Sequence, residues 1–572
     1  MTNATTGRQQ LRQWEDSKPH NFFTADPNLQ NTLRYYLGDT LNPDLERLTT
    51  AGAMTATVLD AAAKMEDEIG NHPRLQRWSA IGERVEQIEF HPQHDRIGQA
   101  IWRSGIMAMQ ATPGHTVLQM ALFYLFNHLG EAGHMCSLAC TSGLIRALQQ
   151  VADDGVRDHF LPPLLNPDYT KMQHGAQFLT EIQGGSDVGS NAVTASPNGD
   201  GTWRINGEKW FCSNINADQF LMTARPHDTP DGTRGLGLFV VPRLLADGST
   251  NGFYIRRLKD KLGTRTLASA EVDFVDALAY PVGPLDRGFK NVVELVLNTS
   301  RLMNAVACTG IMRRATIEAA SYACHRTAFG QAIAAYPLVQ EAVADLVSEV
   351  TAAVASSFYI AHLLDKIETG QASEGDSAVF RLLVNVNKYL TSVRGSEMVH
   401  RAIEVLGGNG AIESFSILPR LYRDMVVLES WEGTHNVLCL QVIRDIARFG
   451  LHEAYATAMN QQLDAIHSPT LQSAVSVARE SLYSTLAMLG RMQQGGDNFA
   501  QAHARRLVDA IGVTTQTILL LAEAQWEIGH GLTTPKPDVI TYFVNRHLRR
   551  DYDPLADDGY LARLERLMAA GS

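Results

Sequence analysis

Between about residues 173 and 285 the chain changes texture, and that change limits its fold more than any other feature. Short apolar runs alternate with polar residues there and are separated by Gly, Asn, Asp and Pro, the pattern of half-buried strands. Before it, Leu45, Leu48, Ala51, Met54, Val58 and Ala61 recur at three- and four-residue steps, the apolar stripe of a helix. A chain of 572 residues is too long for one core. The expected fold is mainly α with a small β domain. Its expected parts are an N-terminal arm and helical domain (1–172), a β domain (173–287), a helical bundle (288–450) and an extra C-terminal helical domain (451–572).

Within the first part, Asn21 to Gln30 reads as an extended arm, and Leu161-Pro162-Pro163 closes the helical stretch. In the β part, Trp203 to Trp210 reads as a hairpin turning at Asn206-Gly207, which places Trp203 opposite Trp210. Gly235 to Pro242 and Ala270 to Val275 are further strands. The pattern after Asn291 is helical again, broken at Tyr336-Pro337 and Leu418-Pro419. Beyond residue 450, helices are expected near Leu471–Met492, Phe499–Trp526 and Asp538–Arg550.

The formal net charge of -12 gives a nucleic acid or an anionic membrane no help from the global field. Six scattered cysteines read as reduced, mostly buried thiols; Cys136 and Cys140 follow His134, but helical spacing favours core packing over a metal site. No metal ligand set is expected. Without an apolar leader or a long apolar run, a cytoplasmic protein with no membrane partner is expected.

The chemistry is expected at Leu428 to Leu438, where Glu432 follows Trp431 and precedes Gly433-Thr434 inside an apolar run. Apolar surroundings push a carboxyl pKa up toward the range of a general base. Thr434 is placed to cap a following helix whose first N–H groups suit a phosphate. The plain alternative is an acidic residue set in a first turn by the helix dipole.

Five segments occur in order: Phe178 to Val188 (FLTEIQGGSDV), Lys209 to Asn214 (KWFCSN), His325 to Gly330 (HRTAFG), Val405 to Gly410 (VLGGNG) and Trp431 to Thr434 (WEGT). Together with the α–β–α order they make the chain resemble the acyl-CoA dehydrogenase family: an α domain, a β-barrel domain and a four-helix bundle. The stretches Glu89 to Pro92, Arg257 to Gly263 and Leu418 to Arg423, with the extra C-terminal helices, are similar to its AidB-type branch.

That resemblance implies FAD. It places Leu179, Thr180, Gly185 and Ser186 at the polar edge of the isoalloxazine, Trp210 on a flavin face and Ser213 toward N5. It gives Arg326 and Phe329 to the phosphates and adenine of a neighbouring subunit's FAD, and Gly407, Gly408, Gly410, Thr434 and Asn436 to the pyrophosphate side. Glu432 falls on the catalytic base of α,β-dehydrogenation of an acyl thioester, the CoA ester in this family. The Glu432 N–H and a ribityl hydroxyl would polarise the carbonyl. A homotetramer and an electron-transferring flavoprotein as acceptor are implied as well.

Three departures bear on the pocket: Tyr336-Pro337 where relatives often have His-Gln, His435 in place of a small residue, and Trp431 in place of tyrosine. The alternative function is an AidB-like DNA-associated flavoprotein with a protective role. Residues 451–572 hold ten Lys plus Arg against thirteen Asp plus Glu, a balance of -3, which disfavours DNA.

Overall fold

The computed structural model describes residues 3–571. The chain forms two compact units: Val58–His115 with Glu131–Met303, and Met1–Thr57 with Thr116–Gly130 and Asn304–Ser572. In the first unit the strands Gln219–Pro226, Thr194–Pro197, Trp203–Ser213, Ser269–Pro281 and Gly237–Pro242 pair in a closed ring. Gly175–Phe178 runs parallel to Gln219–Pro226, and Phe253–Leu258 lies antiparallel to Ser269–Pro281. Closure leaves the ring strands no free edge. Phe178, Phe220, Phe239, Phe253 and Phe274 fill the core. Helices Asp60–Asp67, Pro92–Arg103, Ala132–Val151 and Asp154–Leu164 complete this unit.

The expected hairpin is not formed. Trp203–Ser213 is one strand, and Trp203 pairs with Ala279 rather than with Trp210. Gly207 has φ +134° at a shift of register, and a Cβ there would lie 2.9 Å from the Val193 side chain. The freedom of the Asn-Gly pair therefore serves a bulge within a strand. A two-stranded hairpin, Arg74–Trp78 with Arg84–Glu89, interrupts the segment expected to be helical throughout. Its Arg77 guanidinium donates to the Ile255 carbonyl at 2.9 Å, so the barrel anchors it.

The second unit is helical. The segment expected as an extended arm is a turn leading into helix Pro27–Leu37, whose N-cap Asp26 accepts the Leu29 N–H at 3.0 Å. Its aromatics pack on the same chain: Phe22 stacks on His128 with centroids 4.8 Å apart. The two Pro breaks prove to be helix starts, at Pro337–Glu368 and Leu418–Leu428, because Pro lacks only an N–H that a first turn leaves unpaired. Among the described residues five α-helices follow residue 450, at Leu451–Asp464, Gln472–Gln494, Asp497–Gly529, Lys536–His547 and Tyr560–Gly571. Pro337–Glu368 and Asp497–Gly529 are long and apolar enough to cross a membrane, and their apolar windows are 100% and 89% buried within the fold.

Buried charges seat the C-terminal helices. Asp345 accepts from the Tyr542 hydroxyl at 2.8 Å and pairs with Arg401 at 2.6 Å and Arg546 at 2.5 Å. Lys536 pairs with Glu523 at 2.5 Å and Glu527 at 2.8 Å, all three buried. Replacing one partner of a buried cluster strands the others. Lys536→Met is expected to destabilise the protein by roughly 3–5 kcal/mol, read as a fall in its thermal unfolding midpoint.

Burial also pushes His128 down to about 3. Between that value and the ordinary histidine range the unfolded chain holds a proton that the folded chain refuses, so stability falls as pH is lowered through this window. The loss is at most about 1.4 kcal/mol per pH unit for one proton. Unfolding midpoints taken from pH 7 to pH 4 are expected to decline less in His128→Gln than in the wild type.

Candidate functional site

In the helical unit the site is a turn between two helices. Leu418–Leu428 ends, residues 429–433 turn, and His435–Phe449 begins. Glu432 holds φ +57°, and Gly433 follows at +111°. A non-glycine residue there costs on the order of 1–3 kcal/mol, and such a conformation persists only where its surroundings over-determine it. Lys388, 0% exposed on helix Glu374–Leu406, supplies that constraint. Its ammonium donates to the carbonyls of Glu429 at 2.9 Å and Gly433 at 3.0 Å, the two ends of the turn.

Two titratable neighbours flank Glu432, Glu429 within the turn and His435 just after it. Ser396 donates its hydroxyl to the Glu429 carboxylate. The His435 Nε2 lies 3.6 Å from that carboxylate, beyond a hydrogen bond. Burial, then the charges of Lys388 and Arg505, push His435 down to about 4, so its ring is neutral at pH 7. Glu432 itself is half-buried.

Thr434 occupies the N-cap position, yet its side chain makes no capping bond, contrary to the expectation. The first N–H groups of that helix are thus left without side-chain capping by Thr434, as an anion site requires. The Asn436 side-chain oxygen accepts from the Arg505 guanidinium at 2.9 Å.

The glycines divide by role. A Cβ on Gly407 or Gly408 would meet nothing within 4 Å, so these two present open backbone. A Cβ on Gly410 would lie 2.4 Å from the Ile403 carbonyl, so that glycine is fixed by its own helix. Arg326 precedes a two-residue hairpin pairing Thr327–Ala328 with Gln331–Ala332. At its tip Phe329 and Gly330 have φ +49° and +93°, and the Phe329 side chain is 98% exposed.

In the barrel unit, the Thr180 carbonyl accepts the Trp210 N–H at 2.9 Å. A Cβ on Gly185 would lie 2.7 Å from the Thr180 hydroxyl, so only glycine lets the loop fold against it. The loop is pinned by Glu181, which pairs with the buried Lys209 at 2.7 Å and accepts the Ala192 N–H at 2.6 Å. Lys209 also reaches the Leu179 carbonyl at 3.3 Å. Gly185 and Ser186 are exposed on this loop. The Lys259 ammonium lies 3.7 Å from the Trp210 ring centroid, a cation–π contact. Ser213 shares a 2.9 Å hydrogen bond with Ser269.

The donor sets fit a flavin nucleotide. In the helical unit the open backbone at Gly407 and Gly408 and the exposed Phe329 suit phosphate and adenine groups, and in the barrel unit the exposed Gly185-Ser186 backbone suits the polar edge of a ring. Lys388, Lys209, Lys259 and Arg505 were not singled out from the sequence. A signal existed for the first: Lys388 interrupts the apolar face of a long helical run.

Residues 12–171 match the adaptive response protein AidB N-terminal domain. Residues 176–277 match the acyl-CoA dehydrogenase middle domain, and 286–447 its C-terminal domain. The chain is 34% identical to the putative acyl-CoA dehydrogenase AidB of Escherichia coli over 65% of this chain and 69% of that one. It is 30% identical to acyl-CoA dehydrogenase family member 11 of Caenorhabditis elegans, over 85% and 80%. The structure of Caenorhabditis elegans ACDH-11 in complex with C11-CoA aligns with TM-score 0.88 and 26% identity, covering 94% of this chain and 93% of that one.

Lys388→Met removes the clamp and leaves two carbonyls without this donor. At about 1–3 kcal/mol for each buried acceptor left unpaired, the variant is expected to lose roughly 2–6 kcal/mol in urea unfolding.

Proposed function

The chain belongs to the acyl-CoA dehydrogenase family of FAD-dependent oxidoreductases, and from that membership we propose that it desaturates an acyl-CoA between its α and β carbons. The observation that carries this reading is the Glu432 turn: a half-buried carboxylate in a strained backbone conformation, clamped at both ends by Lys388. FAD, when bound, supplies the acceptor for the β-hydride. Glu432 takes the α proton on its carboxylate oxygen, and its backbone N–H faces the charge that develops on the thioester carbonyl. Thr180, Gly185 and Ser186 hold the flavin's polar edge, and Trp210, backed by Lys259, covers a face. Arg326 and Phe329 serve the phosphates and adenine of a neighbouring subunit's FAD, and Gly407, Gly408 and Asn436 serve the pyrophosphate side. Gly410 shapes the turn beneath them.

The complex of the Caenorhabditis elegans neighbour with C11-CoA supports an acyl chain of similar length. We further assign an electron-transferring flavoprotein as acceptor, a cytoplasmic location and a homotetramer; the 98% exposure of Phe329 supports a partner covering it. Duplex DNA is disfavoured by the -3 balance of residues 451–572, and three of the arginines there already have partners in the fold. Arg546 pairs with Asp345, Arg549 donates to Ser473 and Arg505 donates to Asn436.

Anaerobic mixing with a panel of acyl-CoA esters tests the assignment. The wild type is expected to bleach its flavin absorbance, and Glu432→Gln to retain FAD while bleaching about 10²–10⁴-fold more slowly. Wild-type bleaching rates in that variant would remove Glu432 from the chemistry.

A further inference from the structure

Strand Trp203–Ser213 carries a second irregularity, at the tryptophan assigned to the flavin. Lys209 pairs with Val272 and Cys212 with Ala270, so Trp210 and Phe211 together oppose the one residue Glu271. A bulge of this kind re-aims side chains that would otherwise alternate across the sheet. Lys209 and Cys212 are both buried, while the two rings between them stand outside, Trp210 half-buried and Phe211 exposed. One cation covers both. The Lys259 ammonium lies 3.7 Å from the Trp210 ring centroid and 4.7 Å from that of Phe211.

We propose that Lys259 is a positioning residue for the cofactor: its ammonium seats the Trp210 indole against the flavin, and its charge favours the reduced ring, raising the reduction potential. This rests on the placing of Trp210 over a flavin face and adds to it what holds the indole and what the holder does to the chemistry.

The surroundings of Lys259 set it apart from an ordinary surface ion pair. Its side chain is 12% exposed, whereas that of Arg257, the other partner of Glu271, is 68% exposed. Arg257 already grips the Glu271 carboxylate through Nε at 3.0 Å and Nη2 at 2.9 Å, a two-pronged pair. Lys259 reaches the same carboxylate at 2.9 Å, so the three side chains keep one net positive charge beside the indole. The base of the lysine is fixed as well, because its backbone N–H donates to the Ser269 carbonyl at 2.7 Å.

The consequence follows from charge. An ammonium over an indole face is attracted by the ring quadrupole, and it takes one face only, leaving the other to a flavin. The substrate hydride carries two electrons and one proton to the flavin, while the α proton stays on Glu432. The flavin therefore gains negative charge, and a cation behind an apolar ring, where screening is weak, lowers the energy of that state.

The full-length, FAD-loaded protein is equilibrated with redox dyes under argon. Lys259→Met is expected to lower the ratio of reduced to oxidised flavin about tenfold at a fixed dye ratio, about 30 mV for a two-electron couple. Lys259→Arg, which keeps a cation able to stack on the ring, is expected to restore the wild-type ratio. A wild-type ratio in Lys259→Met, or a fall that arginine does not restore, overturns the inference. Should Lys259→Met not retain FAD, quenching of indole emission as FAD is added to the apoprotein takes its place. Weaker binding restored by arginine then supports the seat, and weaker binding left unrestored overturns it. Trp210→Phe separates this inference from the reading beneath it. An altered flavin spectrum there, beside a wild-type ratio in Lys259→Met, keeps Trp210 on the ring and removes the role of Lys259. An unaltered spectrum takes Trp210 off the ring, and the inference with it. The slowing expected of Glu432→Gln is untouched by either result.

Discussion

A buried ammonium holding two backbone carbonyls is the constraint on which the candidate chemistry rests. Lys388 carries its charge inside a helical core, where desolvation alone would be prohibitive. The carbonyls of Glu429 and Gly433 satisfy two of its donors and in return fix the turn that presents Glu432. The left-handed backbone at Glu432 is thereby imposed by its neighbours rather than by its own preference.

The barrel unit repeats the device. Lys209, also fully buried, pairs with Glu181 and reaches the Leu179 carbonyl, fixing the loop that carries Thr180, Gly185 and Ser186. In both units a loop that must stay open to a ligand is held from beneath by a lysine its surface does not reveal. Loops positioned by a rigid scaffold in this way combine accessible backbone with defined geometry.

This division explains what the sequence disclosed. Glu432 stood out because a carboxylate in an apolar run is unusual, and the α–β–α order followed from hydrophobic period alone. Trp203 and Trp210 misled because Asn206-Gly207 suits a tight turn and a bulge equally, and only pairing with Ser269–Pro281 decides between them. Lys209 was given no role because a lysine carries no mark of the groups it will meet, and Lys388, though it interrupts an apolar helix face, gives no sign of which carbonyls it clamps. The Thr434 cap failed for a like reason: residue type places a cap, while the rotamer makes the bond.

The order in which the chain weaves through its two units bears on how it is made. The Trp14 indole donates to Ser321, 307 residues later, and the Thr32 hydroxyl donates to Glu523, 491 residues later. These N-terminal helices leave the ribosome with apolar faces whose partners are not yet synthesised. Contacts of such separation form slowly, and surfaces waiting for them invite association with other chains. The packing of this segment is therefore completed only once residues as far along as Glu523 have emerged, and its apolar face needs cover until then.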